Sequence, residues 1–252
     1  MEPEEYELMY RVEDHHWWYR GMAQITHGVL DRFVSAGSLR ILDAGCGTGA
    51  VLRSLERYGS AVGLDRARLG LELCRKRGLR NLVEGSVAEL PFRDGRFDLV
   101  VSYDVLCCCT GSDDERALTE LRRVLSPGGH LLLRLPAYDW LRGRHDERVH
   151  IAHRYTRSEL DRKLRRAGFS VSHASYVNTL LFPIVLLKRM SERLAPGRQT
   201  ESDLSLSAGP LDALFRLALR AEAPFVRTIG LPFGLTVLAL AQRPEDDPSS
   251  HS

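Results

Sequence analysis

Several signatures are missing from this chain, and each absence removes a class of protein. No apolar run approaches the ~20 residues that a bilayer-spanning helix needs. The longest, Val177 to Leu187, is broken by Asn178 and Pro183. The first residues are acidic and carry no apolar segment, so no secretory leader is expected and the protein is expected in the cytoplasm. Five cysteines include no C-x-x-C pair, which argues against a zinc site or a disulfide framework. Cys46 sits in a glycine-rich stretch, Cys74 in a helical pattern, and Cys107, Cys108 and Cys109 are consecutive. They read as small apolar residues of a reducing compartment, a thiol site in the triplet being the alternative. The formal net charge of +2 is small and the basic residues, mostly Arg, are scattered, so no nucleic-acid partner is expected.

What is present begins with Leu42-Asp43-Ala44-Gly45-Cys46-Gly47-Thr48-Gly49. A short apolar run enters three closely spaced glycines and a helical pattern follows. Glycine there permits positive φ and removes the Cβ that would keep a ligand from the main chain. The spacing is GxGxG, not the GxGxxG of dinucleotide sites, and no GK[ST] follows, so the P-loop is excluded. An acid before the turn, Asp43, suits a ligand with a positive charge and a ribose better than a pyrophosphate. A second apolar run, Ser60 to Leu64, ends in Asp65. Further on stand Gly85-Ser86-Val87-Ala88-Glu89-Leu90-Pro91-Phe92, the strand-like Phe97 to Ser102, and Leu125-Ser126-Pro127-Gly128-Gly129 before Leu131-Leu132-Leu133.

These five segments, in this order, resemble the class I S-adenosylmethionine-dependent methyltransferases, specifically the type 11 methyltransferase domain. The resemblance covers residues 40 to 137. It implies an α/β fold: a doubly wound, seven-stranded Rossmann-like sheet with an N-terminal helical lid and a helical insertion between the last two strands. It implies S-adenosyl-L-methionine as cofactor, touched by Asp43, Gly45, Cys46 and Gly47 in the loop. Asp65 would hold the ribose hydroxyls with Arg66 beside it, and Ser86 and Val87 would frame the adenine. Ser102, Trp18 and Arg20 complete the expected cofactor contacts. At Ser86 the chain departs from the family, which usually has Asp. A hydroxyl can accept the same hydrogen bond without charge assistance.

The periodicity predicts strands near 39–43, 60–65, 81–84, 97–102 and 130–136, and helices near 48–58, 67–77 and 113–125. Ser112-x-x-Glu115 and Thr156-x-x-Glu159 are capping-box patterns, the second opening a helix that stops at Gly168. A sixth strand is expected over 169–177 and a last one from Leu235 to Gln242, pairing antiparallel with it. The expected organisation is a lid over 1–36, a core over 37–177, an insertion over 178–230, the final core strand within 231–243 and a disordered tail over 244–252. Within the lid, residues 6 to 35 read as helix with a hinge near Gly21. Its cluster Asp14-His15-His16-Trp17-Trp18-Tyr19-Arg20 suits either cation–π contact with a sulfonium or sealing of the helix onto the sheet. In the insertion, Thr179 to Leu187 leads into Lys188, Arg189 and Arg193. Pro196 to Gly209 is a polar loop, and Leu211 to Ala221 reads as helix. The apolar segment at 178–190 could touch a membrane periphery, a second copy of the chain, or the sheet itself.

Methyl transfer from a sulfonium is an in-line displacement, so positioning and exclusion of water carry most of the rate. A hydroxyl acceptor also needs a base within hydrogen-bond reach. Candidates follow the fourth strand, Tyr103 and Asp104, or lie in a loop holding His145, Asp146, His150, His153, Arg154 and Tyr155. That loop resembles a segment of related bacterial methyltransferases. His150 and His153, with Tyr103 and Asp104, are therefore the expected catalytic residues. The expected function is methyl transfer to a small or lipid-linked acceptor, oxygen favoured, by a monomer or homodimer. The alternative is a non-catalytic S-adenosylmethionine-binding regulatory protein.

Overall fold

The computed structural model describes residues 1–35, 37–194 and 210–245. Seven strands, β1 (Leu39–Ala44), β2 (Gly59–Asp65), β3 (Leu82–Glu84), β4 (Phe97–Tyr103), β5 (Leu125–Pro136), β6 (Ser170–Val177) and β7 (Thr236–Gln242), form one sheet in the order β3-β2-β1-β4-β5-β7-β6. The first five run parallel, and β7 lies antiparallel to both its neighbours. Around the sheet are α1 (Pro3–Val12), α2 (Trp17–Phe33), α3 (Ala50–Leu55), α4 (Arg68–Lys76), α5 (Asp113–Val124), α6 (Arg144–Arg148), α7 (Arg157–Arg166), α8 (Phe182–Leu194) and α9 (Pro210–Thr228).

Successive side chains of a strand point to opposite faces, and the central strands are apolar on both. Ile41, Leu99, Val101, Leu132 and Leu238 pack on one side with Met22, Ile25 and Val29 of α2 and Leu219 of α9. Leu42, Val100, Leu131, Leu133 and Val237 pack on the other with Leu118 and Leu121 of α5 and Leu160 and Leu164 of α7. Strands buried on both faces read as continuous apolar runs because neither side meets water. The insertion between β6 and β7 supplies α8 and α9, and α9 lies along α2.

Several local expectations change. The N-terminal helix breaks at residues 13–16, not at Gly21: α2 starts at Trp17, with His16 Nδ1 accepting from Trp18 N at 3.2 Å. Gly21 lies inside α2, where the Leu219 side chain occupies the space a Cβ would need. The glycine there allows close helix approach rather than a bend. The Ser112 side chain makes no capping bond; backbone carbonyls serve that end of α5 instead. Thr156 does cap α7, accepting from Glu159 N at 3.3 Å, and Gly168 follows the helix at φ +84°. Pro127-Gly128-Gly129 lies within β5, which starts directly after α5 and has a pairing irregularity against β4 near Phe97. α9 runs on past Ala221 and through Pro224 to Thr228, with buried Glu222 and Val226 anchoring it on either side of the proline. The polar loop from Pro196 to Gly209, and the tail from 246 onward, lie outside the described residues.

Candidate functional site

In an open parallel sheet, ligands bind beyond the carboxyl ends of the strands where the strand order reverses. Here that point lies between β1 and β4. The loop after β1 turns through Gly45, Gly47 and Gly49 at φ +99°, +53° and +92°. Gly45 N and Cys46 N donate to Leu64 O at 2.7 and 2.9 Å, holding the loop on the end of β2. A Cβ on Gly45 would collide with Val105, so this residue has neither the torsion nor the space for a side chain.

Two carboxylates stand at this rim. Asp65 Oδ2 accepts from Gly47 N at 2.9 Å and Oδ1 from Ala67 N at 2.8 Å, which ties the glycine loop to the start of α4. Burial raises its carboxyl above the usual range, and the two backbone donors oppose that rise. Asp43 is fully buried, and its Oδ2 has no hydrogen-bond partner. Burial, followed by the neighbouring Asp65 charge, pushes its carboxyl up to about 8.

Both acids line a cavity of about 1050 Å³, at the upper end of what single small-molecule sites occupy. Five buried polar atoms without a hydrogen-bond partner belong to residues lining it: Asp43 Oδ2, Glu5 Oε2, Trp17 Nε1, His145 Nδ1 and Asn178 Oδ1. Buried polar groups are ordinarily paired, so such a concentration marks a place where a polar ligand completes the bonding. Ser86 and Val87 line the same cavity; Ser86 Oγ accepts from Ala88 N at 3.2 Å and keeps its hydroxyl proton to donate. Arg66 is exposed at the rim.

The N-terminal helices cover this end. Tyr6 OH donates to Asp65 Oδ1 at 3.5 Å, and the Met9 methyl lies 3.0 Å from where a Gly47 Cβ would stand. Glu13 accepts from the Thr48 hydroxyl and from Arg77. Arg77, only 4% exposed along its side chain, also reaches Asp14 at 2.5 Å, Tyr10 O at 2.9 Å and Thr48 O at 2.8 Å. Its guanidinium lies 4.5 Å above the Tyr10 ring. The sequence does not announce this clamp, because Arg75, Lys76 and Arg77 look alike as a basic helix end. Arg134 is a second missed residue, although a charge within Leu131-Leu132-Leu133-Arg134-Leu135 is a legible anomaly. It lies 5.0 Å from the Trp18 ring and 4.6 Å from that of Tyr103, donating to Asp104 Oδ2 at 3.0 and 2.5 Å. The cation over Trp18 is therefore a residue of the chain itself. Arg20 is exposed at the edge of the cavity.

The expected catalytic residues separate. Tyr103 lines the cavity but is buried beneath Arg134, and burial pushes its phenol up. Asp104 adopts φ +58° and is occupied by Arg134. His150 is exposed at the rim, its Nε2 2.7 Å from Glu2 Oε1. His153 does not line the cavity: Asp139 and Glu159 hold its two ring nitrogens at 2.8 and 2.7 Å. Asp146 is buried against Arg154 and accepts from Gly143 N at 2.7 Å, fixing α6. This leaves His145 as the loop histidine that lines the cavity with an uncommitted ring nitrogen. Ser102 also stands apart from the cavity. Its buried hydroxyl donates to Ala44 O at 2.8 Å and fastens β4 to β1. Cys46, Cys108 and Cys109 reach the cavity wall, whereas Cys107 is buried and its carbonyl accepts from Ala152 and His153.

A sheet ordered 3-2-1-4-5-7-6 with its last strand reversed, and a glycine turn and an acid at the ends of β1 and β2, defines the Rossmann-like class I methyltransferase fold. The chain carries a methyltransferase domain of this S-adenosylmethionine-dependent class: residues 42–133 match the sequence profile of the family described as "Methyltransferase domain". The chain is 38% identical over 106 residues to a phthiotriol/phenolphthiotriol dimycocerosates methyltransferase of Mycobacterium ulcerans, covering 39% of this chain and 38% of that protein. It is 31% identical over 190 residues to an uncharacterised transposon protein of Streptomyces fradiae, covering 69% and 54%. It superposes with a TM-score of 0.62 on a methyltransferase solved with the Haloferax volcanii Trm112 activator, at 22% identity and covering 97% and 95%. The chain spans about half or less of the length of the curated relatives it matches. S-adenosylmethionine is the cofactor of this class, and the unpaired Asp43 oxygen, the main chain of Gly45 and Gly47 on the cavity wall and the carboxylate of Asp65 fit its cationic and ribose parts.

Proposed function

We propose that this chain transfers a methyl group from S-adenosylmethionine to a small or lipid-linked acceptor, with oxygen the atom methylated. One observation carries the reading. A single cavity is bounded at one end by Asp43, the glycine loop and Asp65, and elsewhere by His145, Asn178, Leu181 and Val185. Donor and acceptor can therefore share one volume, with α1 and α2 over the cofactor end and the start of α8 beside the acceptor.

The bound sulfonium supplies an activated methyl group. The chain's own part is to bind, orient and deprotonate. Gly45 and Gly47, on the cavity wall, would present main chain to the amino-acid portion. Asp65 accepts from the ribose hydroxyls once Tyr6 shares or yields its place. Ser86 and the Val87 N–H frame the adenine, and ionised Asp43 offsets positive charge. His145 takes the acceptor proton, a role for which its geometry is better than that of His153, whose nitrogens are both engaged by acids. The apolar Leu181 and Val185, and a Mycobacterium ulcerans relative whose name specifies a lipid, support a lipid-linked acceptor.

Two measurements test this. Thermal shift against S-adenosylmethionine, S-adenosylhomocysteine, NAD and NADP should give stabilisation by the first two alone. Transfer of a labelled methyl group to hydroxylated lipid extracts should then be detected by mass. Stabilisation by NAD instead would overturn the cofactor; binding without label transfer would reassign the chain to non-catalytic S-adenosylmethionine binding.

A further inference from the structure

Helix α9 buries one face and leaves the opposite one uncovered. Phe215, Leu219, Glu222 and Val226 are inside, whereas Leu214, Leu217, Ala221 and Phe225, at spacings of three and four, are all exposed. Leu217 is 62% and Phe225 53% accessible. Beside this apolar stripe run Arg216, Arg220 and Arg227, which make no ion pair with an acid among the described residues. The segment from Leu180 into α8 is two-faced as well. Leu181, Val185 and Arg189 line the cavity, while Leu180, Ile184, Leu187 and Met190 face outward, Leu187 being 68% accessible. The two helices are joined at one point: the Glu222 carboxylate accepts from Asn178 N at 2.6 Å and Thr179 N at 2.9 Å, just ahead of α8. Aromatic rings extend the surface there, Phe182 lying 6.0 Å from half-exposed Trp140 and 5.5 Å from Phe233.

We propose that the outer face of α8 and α9 rests on an anionic lipid surface. Charge complementarity selects this occupant. A helix with an apolar stripe next to unpaired arginines is built to lie in the boundary between acyl chains and anionic headgroups. A second copy of the same face would bring those arginines against one another. Trp and Phe at the edge suit that boundary, where one end of a ring is dry and the other wet. Among the described residues no helix is long and apolar enough to cross a membrane, so the contact is peripheral. The placement also deepens the methyl-transfer reading, on which this last step rests: α8 has Val185 and Arg189 on the cavity and Ile184, Leu187 and Met190 on the outer face, so a lipid-linked acceptor on that surface would lie one helix away from the cavity that His145 lines.

The test is sedimentation of the full chain with phosphatidylcholine vesicles, with and without phosphatidylglycerol. Binding should require the anionic lipid and weaken with salt. Arg216→Gln with Arg220→Gln should lower the partition roughly 25-fold. Leu214→Ser with Leu217→Ser should also release the protein from the vesicles. Both double variants should keep the thermal shift with S-adenosylmethionine, which separates loss of docking from loss of the cofactor site. Equal binding to neutral vesicles, no binding to either, or undiminished binding by both variants would overturn the proposal. So would light scattering that shows a dimer dissolved by the serine variant.

Discussion

The two ends of the cavity are made differently. At the β1–β3 end, the shape is imposed by the backbone: positive-φ glycines, a collision at Gly45 and a carboxylate tied to loop amides. At the β4–β5 end, the wall is built of side chains that partner one another, Arg134 with Asp104 and Arg154 with Asp146, while His153 is held off the cavity by Asp139 and Glu159. The first arrangement tolerates few residue types and leaves a spaced motif. The second is set by three-dimensional pairing, and any of several His, Asp and Arg residues could have filled each role.

The sharpest way to break this comparison is Asp65→Ala. The substitution removes the expected ribose acceptor and strands Gly47 N and Ala67 N. With hydrogen bonds to charged groups worth about 1.5–3 kcal/mol each, S-adenosylmethionine affinity should fall roughly a thousandfold. Titration calorimetry reads the loss directly. Affinity within about tenfold of wild type would place the ribose elsewhere and remove the main distinction drawn between the two ends.

Arg77→Ala probes how firmly the N-terminal helices are fastened to the cofactor end. Arg77 and Glu13 are a buried pair, at 4% and 5% side-chain exposure, with Thr48 and Tyr10 completing their bonding. Removing one partner leaves an uncompensated buried carboxylate, so unfolding in urea should show a loss of about 3 kcal/mol. Glu13 already has its carboxyl raised, chiefly by burial. It should therefore protonate more readily in the variant, and part of the lost stability should return at low pH. A change below about 0.5 kcal/mol would mean the clamp is no more than a surface contact.

Legibility follows the same division. The turn at residues 45–49 could be read because glycine there satisfies torsion and space together. Asp65 could be read because it ends an apolar run. The strand positions followed from apolar runs whose two faces are both buried. Gly21 shows the limit: in sequence it looks like a hinge, yet its reason is Leu219, almost two hundred residues away. Arg77 is hidden among equivalent charges, and the spacing of His145, His150 and His153 cannot show which imidazole meets acids. Ser102 had the right position on β4 for a ligand contact, but its hydroxyl is spent on Ala44 O.

Asp43 gives a test that depends on pH. Its folded value of about 8 stands above the ordinary 3.8. Between these limits the folded state retains a proton that the unfolded chain has released, so stability should decline as pH rises from about 3.8 towards 8. Binding a cation favours the ionised form, so S-adenosylmethionine should displace this proton, by up to about one per site near neutrality. Calorimetry in buffers of different ionisation enthalpy counts the proton, and Asp43→Asn should delete that contribution along with the pH slope in stability. Equal proton release by wild type and Asp43→Asn would show that the carboxyl is already ionised or lies away from the charge.

The smallest effect should come from the pair His145→Gln and His153→Gln, read as a difference. If the acceptor proton leaves through His145, that variant should lose roughly a hundredfold in kcat, with its pH profile flattened. His153→Gln should keep kcat within about threefold and lose only about 0–1 kcal/mol of stability, because its partners Asp139 and Glu159 are partly exposed. The comparison of the two ends predicts this asymmetry. A histidine whose two nitrogens are held by acids belongs to the scaffold, and one with a free nitrogen on the cavity wall belongs to the reaction. Equal losses in both variants, or a larger one at position 153, would mean that the loop rearranges when the acceptor binds and that the pairing seen without it does not describe the working site.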